Sequence, residues 1–406
     1  MPDTNLKPEK WYLLGAGYAG LSFASRWTSL VKNHSEEGTI LPQLTLINAA
    51  SHSDCTCELY RVLRSGKQEY FHVPKVLNTK IVNFLEGRLF QVDPSKKTFS
   101  IRSTEVKSFS YDRLIFAAGA GVVGTKIKGV EDQVKNQSPI APRVFGLRSN
   151  QQVLSLRMAL QRVGWTKASK KETFVVVIGG GPTGVELAGE MAALRGKNPK
   201  KRIIVIEKSY DPLRGVLGIL GNKVLKSQLK KLGVEYFEGG GVSSVDSKFV
   251  HIDNGQIIPW NLLVLANGSQ VNKDLFSMFS EEIWSQDDRI KVDRSFQIED
   301  SPGHYAIGDL SYYSFLEEAD PQTAQVAVQQ GFFLAERLFS EFVKSYNAPS
   351  VFQKSDWGYL VSLGPKNGAG RLGPVTPVWG KGVDFAKKAA KLRFDAQLKT
   401  GWKLSP

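Results

Sequence analysis

Two glycine-rich turns of the same design constrain this chain more than any other feature. The first, Gly15-Ala16-Gly17-Tyr18-Ala19-Gly20, follows the short apolar run Trp11-Tyr12-Leu13-Leu14. It opens a stretch in which Leu21, Phe23, Ala24, Trp27, Leu30 and Val31 recur at helical spacing, and Leu44-Thr45-Leu46-Ile47 comes next. Strand, tight turn, helix and strand make one βαβ unit. The second turn, Gly179-Gly180-Gly181-Pro182-Thr183-Gly184, repeats that order. Before it stands the β-branched run Phe174-Val175-Val176-Val177-Ile178; after it come a helix carrying Val185, Leu187, Ala188, Met191, Ala192 and Leu194, then the strand Ile203-Ile204-Val205-Ile206. A lone turn of this kind is a weak signal, but two in complete frames predict two dinucleotide sites.

Each glycine has a separate task. Gly15 and Gly179 allow the sharp turn out of the strand, Gly17 and Gly181 let backbone approach a pyrophosphate, and Gly20 and Gly184 let the helix pack close to the sheet. The helix N-terminus then offers free N–H groups and a partial positive charge to the anion. Glu207 ends the second unit. A carboxylate there accepts from both ribose hydroxyls and repels the extra phosphate of NADP, which favours NADH. Asn48 holds the corresponding place in the first unit and gives a weaker ribose clamp.

The bulk properties set looser bounds. With 406 residues, 42% of them hydrophobic, the chain can bury two or three cores. Its formal net charge of +14 suits an anionic membrane, a nucleic acid or phosphate-bearing ligands, and equally a surface of solvated lysines. Met1 to Lys10 lacks the apolar run of a signal peptide, and no window holds about 18 uncharged apolar residues, so no transmembrane helix is expected. These features point to the cytoplasm or the cytoplasmic face of a membrane. The two cysteines, Cys55 and Cys57, cannot frame a secreted fold.

The pair of turns resembles the two-dinucleotide-binding-domain flavoproteins of the glutathione-reductase-like fold, in which the first unit holds FAD and the second NAD(P)H. Further segments carry the likeness. Tyr111-Asp112-Arg113-Leu114-Ile115-Phe116-Ala117-Ala118-Gly119 resembles the family strand ending in Ala-Thr-Gly, with Ala118 in place of the threonine. Leu262 to Gly268 resembles the matching stretch after the NADH unit. His304-Tyr305-Ala306-Ile307-Gly308-Asp309 resembles the motif whose aspartate bonds the ribityl chain of the flavin. Thr323-Ala324-Gln325-Val326-Ala327-Val328-Gln329-Gln330-Gly331 is similar to the segment beneath the flavin in type II, non-pumping NADH:quinone oxidoreductases, and narrows the choice to that branch. Val328 stands where some members carry histidine. Gln325 and Gln329 share one helical face, where two amides can bind a quinone carbonyl, the flavin edge or each other. The resemblance also gives Glu186 a place beside the nicotinamide and the flavin; the plain alternative is a carboxylate at a positive helix end.

Cys55-Thr56-Cys57 departs from the four-residue spacing of disulfide reductases, and a C-x-C pair closes only a strained small ring. Ordinary packing or surface thiols are the simpler reading. Near the end, Val383 to Lys399 forms a helical wheel with Asp384, Lys388, Lys391, Asp395 and Lys399 on one side and apolar residues over most of the rest, flanked by Trp379 and Trp402. Such a helix suits an interfacial membrane anchor, or docks on the protein's own FAD domain or a second subunit.

The expected fold is α/β: two doubly wound Rossmann-like domains with a small C-terminal module. FAD binding is assigned to 1–140 and 290–350, NADH binding to 141–289, and the C-terminal module with its basic amphipathic helix to 351–406. The cofactor-binding candidates are Gly15, Gly17, Gly20, Asn48, Ala118, Gly119, Gly308, Asp309 and Ala324 for FAD, and Gly179, Gly181, Gly184, Glu207 and Gly268 for NADH. Glu186, Gln325 and Gln329 are the catalytic candidates. Hydride transfer from NADH to flavin, then two electrons to a quinone at a membrane reached through 379–402, is the expected activity. A soluble reductase of ferredoxin or rubredoxin and a non-catalytic flavin-bearing sensor are the alternatives. A homodimer is compatible with the sequence; no metal site and no nucleic-acid partner are expected.

Overall fold

Residues Lys10–Leu14 alternate little between apolar and polar, because the strand they form is covered on both faces. In the computed structural model, which describes residues 7–36, 38–121, 127–167, 171–313 and 320–402, this strand is the centre of a five-stranded parallel sheet. Its order is His304–Ala306, Arg113–Phe116, Lys10–Leu14, Gln43–Asn48, Val82–Glu86. The second sheet repeats the plan: Val144–Gly146, Leu262–Leu265, Thr173–Ile178, Lys201–Glu207, Val234–Glu238, again parallel throughout. The helices Tyr18–His34 and Pro182–Arg195 make the first crossover of each unit.

The duplication goes further than the sequence showed. Each unit carries a three-stranded antiparallel insert ahead of one of its sheet strands. In the first the insert is Arg88–Asp93, Thr98–Arg102 and Val106–Ser110; in the second, Val242–Val245, Phe249–Ile252 and Ile257–Pro259. Short, half-exposed strands of this kind leave no strong apolar run to read.

The first sheet draws its strands from two widely separated stretches of chain. Strand His304–Ala306 pairs with Arg113–Phe116, so the chain returns to the first sheet after completing the second. The helix Ala324–Phe339 then lies on Tyr18–His34 so closely that a Cβ on Gly331 would stand 2.3 Å from the Ala19 carbonyl oxygen. The apolar pattern suggests a helix running on to Phe342, but it stops at Phe339 and Phe342 packs beyond its end, against Trp11. An antiparallel sheet of Gly358–Ser362, Gly368–Leu372 and Thr376–Trp379 leads into the last helix, Lys381–Thr400.

That last helix has two apolar faces. Val383, Phe394 and Leu398 are buried, Phe394 against Tyr18 and Phe71. The Ser25 hydroxyl caps the docked end, donating to the Leu398 carbonyl at 2.7 Å. Phe385 and Leu392, on the far side, are 75% and 69% exposed. Among the described residues, no helix is long and apolar enough to cross a membrane.

Candidate functional site

The two glycine turns are the same object built twice. Gly15 N–H donates to the Ile47 carbonyl at 2.8 Å, and Gly179 N–H to the Ile206 carbonyl at 2.8 Å. Ala117 N–H meets the Leu14 carbonyl as Ala266 N–H meets that of Ile178. A Cβ on Gly20 would fall 2.0 Å from the Gly15 carbonyl oxygen, and one on Gly184 would fall 2.0 Å from that of Gly179. These contacts lock helix to strand. The middle glycines behave differently: a Cβ on Gly181 would meet nothing within 4 Å, and one on Gly17 only the Ala117 carbonyl at 3.8 Å. Gly17 and Gly181 are the N-cap residues, and neither helix has a side-chain cap. Each helix therefore presents uncapped N–H groups to open space, which is the cradle an anionic pyrophosphate fits. Gly119 and Gly268 border the same openings, with no atom within 4 Å of a built Cβ.

The strand-end residues also correspond. Glu207 accepts from Gly180 N–H at 2.7 Å and from Ser209 N–H at 2.8 Å, one bond per oxygen, leaving lone pairs for ribose hydroxyls. Asn48 accepts from Ala16 N–H at 3.1 Å through its carbonyl oxygen, while its amide donates to the Ala50 and His52 carbonyls. Its donors are thus spent on its own loop.

Gly308 and Asp309 sit where the chain re-enters the first sheet. Burial raises the Asp309 carboxyl, opposed by the charges of Arg148 and Arg289. Gln330, which the sequence reading passed over, holds this turn: its carbonyl oxygen accepts from Gly308 N–H at 2.7 Å and from the Ser311 hydroxyl at 3.2 Å. Ala324 begins the helix beside it, with the Thr323 hydroxyl as cap. Val328 is buried in the core.

Gln325 and Gln329 do share a face, but both amides clasp backbone. Gln325 accepts from Trp357 N–H at 3.1 Å and donates to the Gly358 carbonyl at 3.3 Å. Gln329 accepts from Ser355 N–H at 2.6 Å and donates to the carbonyls of Ser355 and Gln325. They fasten the C-terminal module over the helix, and the sequence could not show this because their partners lie about thirty residues away with no signature of their own.

Glu186 accepts from Ser362 N–H at 3.0 Å and is ion-paired to Lys387 of the last helix. Lys387 also stands over the Tyr60 ring at 4.0 Å. The sequence does carry a signal for it: Lys387 interrupts the docked face between Val383 and Phe394, and a cation on a buried face needs a partner. Cys57 and Tyr359 lie beside this pair, and the Tyr18 hydroxyl is hydrogen-bonded to Cys57. Tyr18 and Tyr359 are half-buried there, and Cys57 is exposed. Burial pushes the Cys57 thiol up to about 11, and the Cys55 thiol is also raised. Raised thiols fit ordinary packing or surface cysteines rather than nucleophiles.

Comparison with known proteins agrees with this geometry. Residues 10–331 match the family model described as pyridine nucleotide-disulphide oxidoreductase. A probable NADH dehydrogenase of Dictyostelium discoideum is 24% identical over 386 residues, covering 89% of this chain and 80% of that protein. The type II NADH:quinone oxidoreductase of Staphylococcus saprophyticus is 26% identical over 405 residues, covering 95% and 94%. Against some mitochondrial relatives the chain spans only about half of their length. In fold, the NDH2 of Plasmodium falciparum, solved with NADH, superposes with a TM-score of 0.78 over 97% of this chain and 96% of that one, at 18% identity. The chain belongs to the pyridine nucleotide-disulphide oxidoreductase family.

Proposed function

We propose that this chain oxidises NADH through bound FAD and passes two electrons to a quinone, without pumping protons. The observation that carries it is the pair of uncapped glycine cradles, the second of them ending in the acidic Glu207. Full-length similarity to a quinone oxidoreductase supports the acceptor. FAD, when bound at 1–140 and 290–350, supplies the two-electron relay between donor and acceptor. Gly15, Gly17 and Gly20 seat its pyrophosphate and Asp309 its ribityl hydroxyls; Gly179, Gly181, Gly184 and Glu207, within 141–289, seat NADH. Glu186, fixed by Lys387 and Ser362, lies at the junction where nicotinamide and acceptor approach. The protein's task is orientation and electrostatics rather than covalent chemistry. Gln325 and Gln329 serve by holding the 355–358 segment that closes the acceptor side. Purified flavoprotein is expected to bleach with NADH and recolour on adding a short-chain quinone. Recolouring only with a ferredoxin or rubredoxin would replace the quinone by a protein acceptor.

The acceptor's solubility in lipid calls for a membrane contact, and the last helix supplies a surface for one. Phe385 and Leu392, with exposed Ala389 between them and exposed Ala396 a turn beyond, form an apolar strip; exposed Lys381, Lys388 and Lys399 run beside it, and Trp379 and Trp402 flank it at 52% and 62% exposure. Apolar insertion with lysines at anionic headgroups is the arrangement of an interfacial helix. Deleting the helix is a poor test, because its other face carries Lys387. The double variant F385D/L392D keeps the docked face. It is expected to stay at the bottom of a vesicle flotation gradient in which the wild type rises with anionic liposomes, at equal flavin content. Equal flotation of the two would rule this strip out as the contact.

A further inference from the structure

Glu190 lies one helical turn beyond Glu186 on the same face and is fully buried. Neither of its carboxyl oxygens has a hydrogen-bond partner among the described residues; the nearest cation, Arg64 Nη1, stands 3.4 Å away. Around it three elements bring together an ionic cluster. From the segment 58–64 come Glu58, Arg61 and Arg64; from the NADH-unit helix, Glu186 and Glu190; from the last helix, Asp384 and Lys387. Four carboxyl groups thus face three enclosed cations and, at Asp384, the exposed Lys388 at 3.0 Å. Of the four acids Glu190 has the most distant cation, and a fully buried carboxyl without a hydrogen-bonded one holds a proton instead.

We propose that Glu190 is the proton store for acceptor reduction, holding a proton within this buried cluster and delivering it through Glu186 to the acceptor. This rests on the quinone reading above. The balance requires such a group: NADH gives a hydride, which is two electrons and one proton, whereas a quinone becoming a quinol takes two electrons and two protons. The second proton leaves the Glu190 carboxylic acid, the resulting carboxylate is stabilised by Arg64, and solvent reprotonates it past the 27% exposed Arg64 side chain. Burial lifts the Glu190 carboxyl to about 7; Arg64 and Lys387 hold it down, while Glu186 and Asp384 push it up. The store is therefore loaded below neutrality and empties above it. Glu190 acts through Glu186 and is a positioning residue rather than a catalytic one.

The test compares two acceptors in the holoenzyme. Ferricyanide takes electrons without protons, so the ratio of quinone turnover to ferricyanide turnover isolates the proton step. In the wild type that ratio is expected to fall as pH rises through about 7. In Glu190→Gln it is expected to be flat and, at pH 6, about tenfold below the wild type, while Glu190→Asp regains the slope. Infrared spectroscopy gives a readout apart from turnover: a protonated-carboxyl band present in the wild type at low pH and missing in Glu190→Gln. A melting temperature for Glu190→Gln equal to or above that of the wild type at pH 6 shows the variant to be folded. A Glu190→Gln profile that tracks the wild type, or an unchanged carboxyl band, overturns the proposal. A wild type that bleaches with NADH but never turns over quinone overturns the quinone reading and the delivery role together, and leaves the infrared band to decide storage alone.

Discussion

Gly15→Ala is expected to purify almost colourless, whereas Gly179→Ala is expected to stay yellow and fail to bleach with NADH. Both residues hold positive φ, +107° and +106°, at the turn from strand to helix. A Cβ on Gly15 would lie 2.6 to 2.7 Å from the Ala118 Cα and nitrogen and the Ala117 carbonyl oxygen. On Gly179 it would lie 2.4 to 2.5 Å from the Ala266 carbonyl oxygen and carbon. All of these are backbone atoms, so no side chain can swing aside. Left-handed backbone costs an alanine about 1 to 2 kcal/mol, and forcing apart two packed segments adds about 1 to 3 kcal/mol. A total near 3 kcal/mol corresponds to roughly a hundredfold loss of affinity at the cradle affected. Flavin content by absorbance, then bleaching by NADH and by dithionite, separates the two sites. Gly179→Ala should bleach with dithionite at the normal rate and with NADH about a hundredfold more slowly at subsaturating NADH. Full flavin content in Gly15→Ala would show that the first turn does not seat FAD.

That pair of variants probes the part of the molecule most legible in the sequence. Each cradle is a local object: turn, helix start and strand-end residue lie within about thirty residues, and their spacing is dictated by one βαβ unit. Glu207 could be read because its bonds go to Gly180 and Ser209, close neighbours in that unit. Asn48 ends its strand as the βαβ spacing predicts, but the direction of its amide depends on the loop Ala50–His52, which has no sequence signature. Gln325 and Gln329 show the limit more sharply. Their shared face follows from helical periodicity, whereas what the face meets, the 355–358 backbone, follows from tertiary packing. The charge cluster is least legible of all, since it joins segments near residues 60, 190 and 385 and no local pattern links Arg64 to Glu190 or Lys387 to Glu186.

Lys387→Met is expected to be the most destabilising substitution in that cluster, and its cost is expected to depend on Glu190. Lys387 is 12% exposed and Glu186 13%, so methionine leaves Glu186 without its cation in a poorly solvated junction. Removing one partner of a buried pair costs about 3 to 5 kcal/mol, because the surviving charge is neither solvated nor compensated. Methionine fills the stem's volume, so lost packing over Tyr60 contributes little. The cluster also loses one of its three enclosed cations. Glu190, raised from the ordinary 4.5 to about 7 by burial, takes up a proton on folding between those values. Its proton-linked stabilisation is complete below the lower value and lost as pH rises through the upper one. Lys387 is one of the two cations that hold the Glu190 carboxyl down. Without it that carboxyl rises further, and the deficit of Lys387→Met, measured as the difference in chemical denaturation from the wild type, should be larger at pH 8 than at pH 6. Adding Glu190→Gln removes one of the four acids, so the double variant should recover about 1 to 2 kcal/mol of the loss at pH 8. Strict additivity of the two substitutions, at both pH values, would mean that Glu190 and Lys387 do not share one electrostatic cluster.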